Sequence, residues 1–430
     1  VMTTIMSSLT ASTGGFFFLH GHGGIGKTYI WKVLTSLLRS EGDIVLVVAS
    51  SGISSLLLPG GRTSHSKFRI PMSISENSVF NIQQGSDVAN LLQLTNLIIW
   101  DEAPMIHKHC FEAVNRNLKD IMSIKNENAS NFPFSGITIV LGGDFRQILH
   151  VVPGGNRNEI VSSSIDSSYL WQHCRILTLT RNMRLLSNSS TISDEVLEFS
   201  KWTLDIGEGH IAKPNDGEAT IPIPFSYLLA STKDPISKIV EHTYPNFICN
   251  HADVNYLKDG AILAPSRDIV DEVNAYMMSL TSSECKDYFS LDSVCDTSFD
   301  IDSPKNIYTS DMLNVINVSG MDAHKITLKI GVPIMLLRNV DQSVGLCNGN
   351  HLIVTHLGDH VIRARILCGC NSGYLAFIPR LNMTHSDYRC PFKLQRRQYP
   401  LTVSYAMTIN KSQGQLLSSV GLYLQKPVFC

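Results

Sequence analysis

The run Gly21-His-Gly-Gly-Ile-Gly-Lys-Thr28 constrains this chain more than any other stretch. It fits G-x-x-x-x-G-K-[ST], follows the β-prone Phe16-Phe-Phe-Leu19 and precedes a helical pattern from Tyr29 to Leu38. Strand, glycine-rich turn and helix in that order are what a phosphate-binding loop requires. The backbone N–H groups of Gly21, His22, Gly23, Gly24, Ile25 and Gly26 can close around phosphates, and Lys27 can neutralise the β- and γ-phosphates. The Thr28 hydroxyl can ligate Mg²⁺. ATP and Mg²⁺ are therefore the expected ligands.

A chain organised around such a loop is expected to be α/β. Phe16 to Leu19, Ile44 to Ala49, Leu97 to Trp100 and Ile137 to Leu141 are short apolar runs, each followed by a polar or glycine-containing turn. That rhythm predicts a parallel sheet flanked by helices. A second series begins at Ala261-Ile-Leu-Ala264 with a helical pattern from Ile269 to Met277, and residues 313–381 read as a β-rich portion. With 430 residues, two or three domains are expected. A formal net charge of -2 gives no global attraction to nucleic acid, so such a partner would need a local groove. The ten scattered cysteines read as reduced thiols inside a cell, and no window approaches a membrane-spanning length of apolar residues.

Three further strand ends carry candidate chemistry. Leu97-Ile-Ile-Trp-Asp101-Glu102 ends in two carboxylates, suiting Asp101 to the Mg²⁺ shell and Glu102 to general-base work on water. Ile139-Val-Leu-Gly-Gly-Asp144-Phe-Arg146-Gln147 would bring Gln147 to the same sheet edge, within reach of the γ-phosphate or the attacking water, while Asp144 and Arg146 could form a local ion pair or act directly. In Arg181-Asn-Met-Arg184 either arginine could project towards phosphate. Lys411-Ser-Gln-Gly414 puts a basic and a polar group on a tight turn. Cys368, Cys370, His385 and Cys390 lack zinc-finger spacing, and the basic run Lys393, Arg396 and Arg397 reads as a solvated face.

Taken in order, these motifs closely resemble the Pif-type DNA helicases, superfamily-one enzymes that include the helicase modules of plant Helitron-like elements. The likeness is densest in residues 15–31 and 49–66, in Trp100-Asp-Glu-Ala-Pro-Met105, Gly142-Gly-Asp-Phe-Arg-Gln-Ile148 and Asn182-Met-Arg184, and in Thr408-Ile-Asn-Lys-Ser-Gln-Gly414. The resemblance implies two RecA-like P-loop NTPase domains with parallel sheets, ATP between them, single-stranded DNA across both, and a small β-rich, SH3-like insertion in the second. On this reading residues 1–190 form the first domain, with a small insertion at about 67–95, and 191–230 connect. Residues 231–310 and 357–430 form the second domain, and 311–356 the barrel-like insertion.

The resemblance assigns Ser50, Gly52, His65 and Ser66 to DNA contact in the first domain, and Lys411, Ser412 and Gln413 in the second. Arg184 matches the phosphate-sensing arginine. It implies an ATP-dependent 5′ to 3′ DNA helicase in DNA repair, recombination and telomere or genome maintenance. Such an enzyme is expected to act as a monomer on single strands and duplex junctions, without membrane association, in the nucleus or alternatively the mitochondrion. The chain departs from the family at Asn410, Leu416 and His150, where histidine, threonine and proline are usual. It also lacks the upstream adenine-recognition segment and the downstream Ala-Leu-Ser-Arg, so truncation at both ends is expected. The alternative is a transposon-derived remnant that binds ATP or single-stranded DNA without productive unwinding.

Overall fold

Runs apolar at every consecutive residue have no face to leave in water, so they must lie in a sheet covered on both sides. In the computed structural model they do. It describes residues 1–430 except 12–13, 72–73, 81, 124–126, 148–149, 184, 186–193, 212–219, 231–232, 295–307, 317–320, 343, 370, 386–391, 427 and 429–430. The chain divides into two units, residues 1–228 and 229–430.

In the first unit, β1 (Phe16–His20), β2 (Ile44–Ala49), β3 (Arg62–Thr63), β4 (Thr95–Asp101), β5 (Thr138–Gly143) and β6 (Arg175–Thr178) form one six-stranded sheet in the order β3-β2-β4-β5-β1-β6. Every pairing is parallel. Side chains alternate between the two faces with period two. Phe16, Phe18, Ile98 and Trp100 enter a core with Phe111, Leu118 and Ile121 of helix α6 (Lys108–Met122). Phe17, Leu19, Leu97 and Ile99 enter the opposite core with Ile5 of α1 (Met2–Thr10) and Trp31, Leu34 and Leu38 of α2 (Lys27–Ser40). The spacing of Trp31, Leu34 and Leu38 is the one-sided stripe of a helix lying on a sheet. α5 (Asp87–Gln93) lies within the small insertion expected at about 67–95, and α4 (Ser64–Phe68) runs into its start, with α3 (Gly52–Leu56) just before. The expected connecting segment contains the helix Asp194–Gly207, which belongs to the first unit.

The second unit has a small parallel sheet, β18 (Ala406–Thr408), β7 (Gly260–Ala264) and β19 (Ser419–Leu422), packed with the helices Pro235–Thr243 and Arg267–Ser279. Its second component is antiparallel. β11 (Pro333–Leu336), β12 (His351–Leu357), β13 (Val361–Ile366), β14 (Leu375–Pro379) and β17 (Leu401–Val403) form a sheet in the order β14-β13-β12-β11-β17. This sheet continues past residue 356, where the insertion was expected to end, because β12 turns straight back into β13 as a hairpin. β9 (Leu291–Val294), β15 (Leu381–His385) and β16 (Leu394–Gln398) make a further three-stranded sheet. Arg396, expected on a solvated face, is fully buried there, its Nη2 2.6 Å from Asp292 Oδ2 with both side chains at 0% exposure. Its partner lies a hundred residues upstream, so local charge patterning could not reveal the pair. Among the described residues no helix is long and apolar enough to cross a membrane.

Candidate active site

The loop between β1 and α2 is shaped by glycine. Gly24 and Gly26 have φ of 87° and 92°, left-handed values that cost an L side chain strain. A Cβ on Gly21 would lie 1.7 Å from Ile25 Cδ1. The loop is tied to the sheet by Gly21 N–H, which donates to the Gly143 carbonyl at 3.3 Å. Lys27, the first residue of α2, is only 9% exposed. Its ammonium donates to the Gly21 carbonyl and, at 3.2 Å, to that of His22, so its charge stands over the curled loop. His22 Nδ1 lies 2.8 Å from the Gly23 carbonyl. Thr28 follows in the first turn of α2, and Ile25 is buried as the loop's apolar anchor.

Asp101 and Glu102 leave the end of β4 two strands away. Asp101 is buried, and its Oδ1 has no hydrogen-bond partner. Burial pushes its carboxyl up, while the nearby Trp31 indole and Lys27 ammonium pull it down. Glu102 has φ 54° and ψ 42°, a left-handed backbone that a non-glycine residue adopts at a cost of order 1–3 kcal/mol. Its carboxyl is raised to about 7 by burial and then by the neighbouring Asp101 carboxylate, with Lys27 opposing. β5 leaves room for this pair. A Cβ on Gly142 would lie 2.5 Å from Trp31 Cζ2 and 3.0 Å from Asp101 Oδ1, and one on Gly143 would lie 2.3 Å from Pro104 Cδ.

An unpartnered buried carboxylate oxygen on one strand end, a threonine hydroxyl and a lysine ammonium at the loop, and a second acid poised near neutrality fit a magnesium nucleotide. Thr28 and Asp101 would hold the cation, and residues 21–27 the phosphates.

Beyond β5, Arg146 Nε lies 2.8 Å from Asp144 Oδ1 and its Nη1 2.9 Å from Glu208 Oε1. Of the two roles considered for Asp144 and Arg146, the ion pair is therefore present. Gln147 N–H donates to the Asp144 carbonyl at 3.1 Å, in the turn that follows β5 at the sheet edge. Met183 N–H donates to the Gly24 carbonyl at 2.9 Å, which sets the segment after β6 directly on the phosphate loop. Arg184 lies outside the described residues.

The residues assigned to nucleic acid fall in both units. Ser50 follows β2, and Gly52 opens α3, which Ser51 caps by accepting Ser54 N–H at 3.1 Å. His65 and Ser66 lie on α4, capped by Thr63 through Ser66 N–H at 3.4 Å. Burial, and then His150, hold the His65 imidazole below its ordinary range.

In the second unit, Lys411 and Ser412 end the 3₁₀ turn Ile409–Ser412, and Gln413 follows as its C-cap. Lys411 Nζ donates to Asn348 Oδ1 at 3.0 Å, and Asn348 N–H donates to Asn339 Oδ1 at 2.8 Å. Burial, then Arg267 and Arg338, lower the Lys411 pKa, while Asp322 raises it. Arg267, Arg338 and Lys411 come from three separated segments, so this cationic group is not legible in local charge patterning. Cys370, Cys390 and the His385 side chain lie outside the described residues, and among those described no group of three His, Cys, Asp or Glu could hold a metal.

A glycine-rich loop leaving one strand of a parallel sheet, with acids at the end of another strand two places along it, defines a P-loop NTPase of the RecA-like type. Profiles of known families narrow the class. The PIF1-like helicase profile matches residues 1–217, and that of the 2B domain of DNA helicase Pif1 matches residues 311–357. The chain belongs to the PIF1-like helicase family.

It is 23% identical over 434 residues to the ATP-dependent DNA helicase PIF1 of Danio rerio, covering 99% of this chain and 56% of that protein. To the ATP-dependent DNA helicase PIF6 of Trypanosoma brucei brucei it is 22% identical over 447 residues, 99% of this chain and 50% of that one. The chain thus spans about half the length of these relatives. Among solved structures, Bacteroides Pif1 with ADP-AlF3 and single-stranded DNA matches with a TM-score of 0.66 at 20% identity, covering 99% of this chain and 86% of that one. Pif1 from Candida albicans matches with a TM-score of 0.61 at 21% identity, covering 98% and 87%. These similarities give the fold as that of Pif1 helicases.

Proposed function

We propose that this chain is the motor of an ATP-dependent DNA helicase that hydrolyses ATP at Gly21 to Thr28, Asp101 and Glu102 and moves 5′ to 3′ along single-stranded DNA. The observation that carries the reading is the Asp101–Glu102 pair. One buried carboxylate oxygen lacks a partner, and the adjacent acid is held near neutrality in a left-handed backbone. Lys27 and the loop amides hold and orient the phosphates, Gln147 orients the attacking water, and Glu102 takes its proton. Thr28 and Asp101 would hold Mg²⁺, which would supply neutralisation of phosphate charge. Arg184 is assigned the sensing of the γ-phosphate.

The grip on DNA is assigned to Ser50, Gly52, His65 and Ser66 and to Lys411, Ser412 and Gln413. Phosphate contacts of this type tolerate any base, as a translocating motor requires. Single strands and duplex junctions are the substrates of this reading, which also takes the enzyme to act as a monomer, in nuclear or mitochondrial DNA repair, recombination and telomere maintenance. Steady-state ATPase with and without single-stranded DNA tests the motor. DNA should stimulate turnover, and Lys27→Ala should abolish it. Equal rates with and without DNA would sink the motor reading. Duplexes tailed at the 5′ or the 3′ end test the polarity.

A further inference from the structure

The side chain immediately before the acid pair does more than fill space. Trp100 is 1% exposed and paired through its backbone with Val48 of β2 and Leu141 of β5. Its ring stacks on Phe68 with centroids 5.4 Å apart and 27° between planes, and packs on Phe111 at 4.5 Å. Phe68 is the last residue of α4, the helix carrying His65 and Ser66. The indole Nε1–H donates to Ser50 Oγ at 3.3 Å. That hydroxyl in turn donates to the Asp101 carbonyl at 3.3 Å, and Ser50 N–H donates to the same oxygen at 3.1 Å. The hydroxyl's single proton is thereby used, and its acceptor capacity is directed at the indole.

The Asp101 carbonyl belongs to the peptide plane that leads into Glu102. Rotating that plane changes the φ of Glu102, which stands at 54°. A shift of Ser50 therefore either breaks two part-buried hydrogen bonds or turns the plane that aims the Glu102 carboxylate. A shift of α4 reaches the same plane through Phe68 and the indole. Packed elements of this kind pass displacement on rather than absorb it.

We propose that Trp100 is a positioning residue that links both nucleic-acid segments of the first unit, Ser50 and α4, to the peptide that orients Glu102. The link transmits DNA contact to hydrolysis. It rests on the DNA-dependent ATPase reading above, and the experiment separates the two.

Trp100→Phe keeps an aromatic ring between Phe68 and Phe111 and removes the N–H together with part of the indole's bulk, a packing loss that the melting temperature reports separately. In the full chain, basal turnover, nucleotide affinity and DNA affinity should stay within about twofold of the parent, since at 1% exposure Trp100 has no surface to offer either ligand. Stimulated kcat should fall roughly three- to tenfold, the loss expected when one neutral hydrogen bond acts in the transition state alone. A residue that only fills the core would lower the melting temperature and leave the ratio of stimulated to basal turnover unchanged. An unchanged ratio in Trp100→Phe overturns the inference. Absence of stimulation in the parent chain overturns the motor reading instead. If Trp100→Phe melts early, Phe68→Leu carries the test, since it loosens α4 from the ring and leaves the indole bond in place. A lowered ratio supports the link, and a full one overturns it.

Discussion

Glu102→Gln should separate catalysis from stability, and in opposite directions. Burial beside Asp101 raises the Glu102 carboxyl from an ordinary 4.5 to about 7. Folding therefore favours the protonated acid. The stability this contributes is fully present below about pH 4.5 and is lost as pH rises through about 7, because the unfolded chain then binds fewer protons than the folded one. A shift of this size withdraws up to about 3 kcal/mol from the first unit at alkaline pH. Glutamine has the protonated acid's shape and never ionises. The variant should match the parent in melting temperature at pH 4.5 and exceed it at pH 8 by about 6–12 °C for a unit of this size. Its turnover should fall by a factor of about 10²–10⁴, the usual worth of a general base. Nucleotide affinity should persist. In the parent, turnover should rise with pH through about 7 as Glu102 ionises. Differential scanning calorimetry at both pH values, with phosphate release measured alongside, gives all of these quantities. A melting difference that is the same at pH 4.5 and pH 8 would refute the burial argument, and full turnover by the variant would refute the base assignment.

Other perturbations reach separate parts of the molecule. Arg396→Leu leaves Asp292 buried and uncompensated and should cost about 3–5 kcal/mol, read by urea denaturation, with Asp292→Asn in the same chain restoring part of the loss. Gly142→Ala places a methyl 2.5 Å from Trp31 and 3.0 Å from Asp101 Oδ1. The resulting displacement of the acid should lower kcat about 10²-fold, as ångström-scale misplacement does. Lys411→Ala should weaken single-stranded DNA binding evenly across sequences and reduce the salt dependence of log K by about one phosphate's worth, measured by fluorescence anisotropy over a salt series.

The sequence disclosed those parts of the fold and site whose determinants are contiguous. The loop of Gly21 to Thr28, the runs that became β1, β2, β4 and β5, and the Asp101–Glu102 pair each announce themselves within ten residues, because strand pairing and phosphate binding both use local backbone geometry. Features assembled from distant segments stayed hidden. Arg396 looked like part of a basic surface run until Asp292 closed over it. The hydrogen bond from Lys411 to Asn348 joins residues 63 apart. The helix Asp194–Gly207 buries none of its described side chains, so apolar periodicity had no core to point to. The left-handed Glu102 was equally illegible, since nothing in Trp-Asp-Glu-Ala-Pro distinguishes a strained acid from a relaxed one.

The two glycines that end β5 have a consequence for how this chain can vary. At the point where the other strands deliver side chains, β5 delivers clearance, and what it provides there is the space that Trp31, Asp101 and Pro104 already occupy. Such a contribution cannot be exchanged for a chemically similar residue, because no residue resembles absence. In a saturation library scored for growth or turnover, positions 142 and 143 should therefore reject every replacement, alanine included, while the apolar residues just before them trade among themselves. A gap held open by neighbours is inherited as strictly as any reactive group.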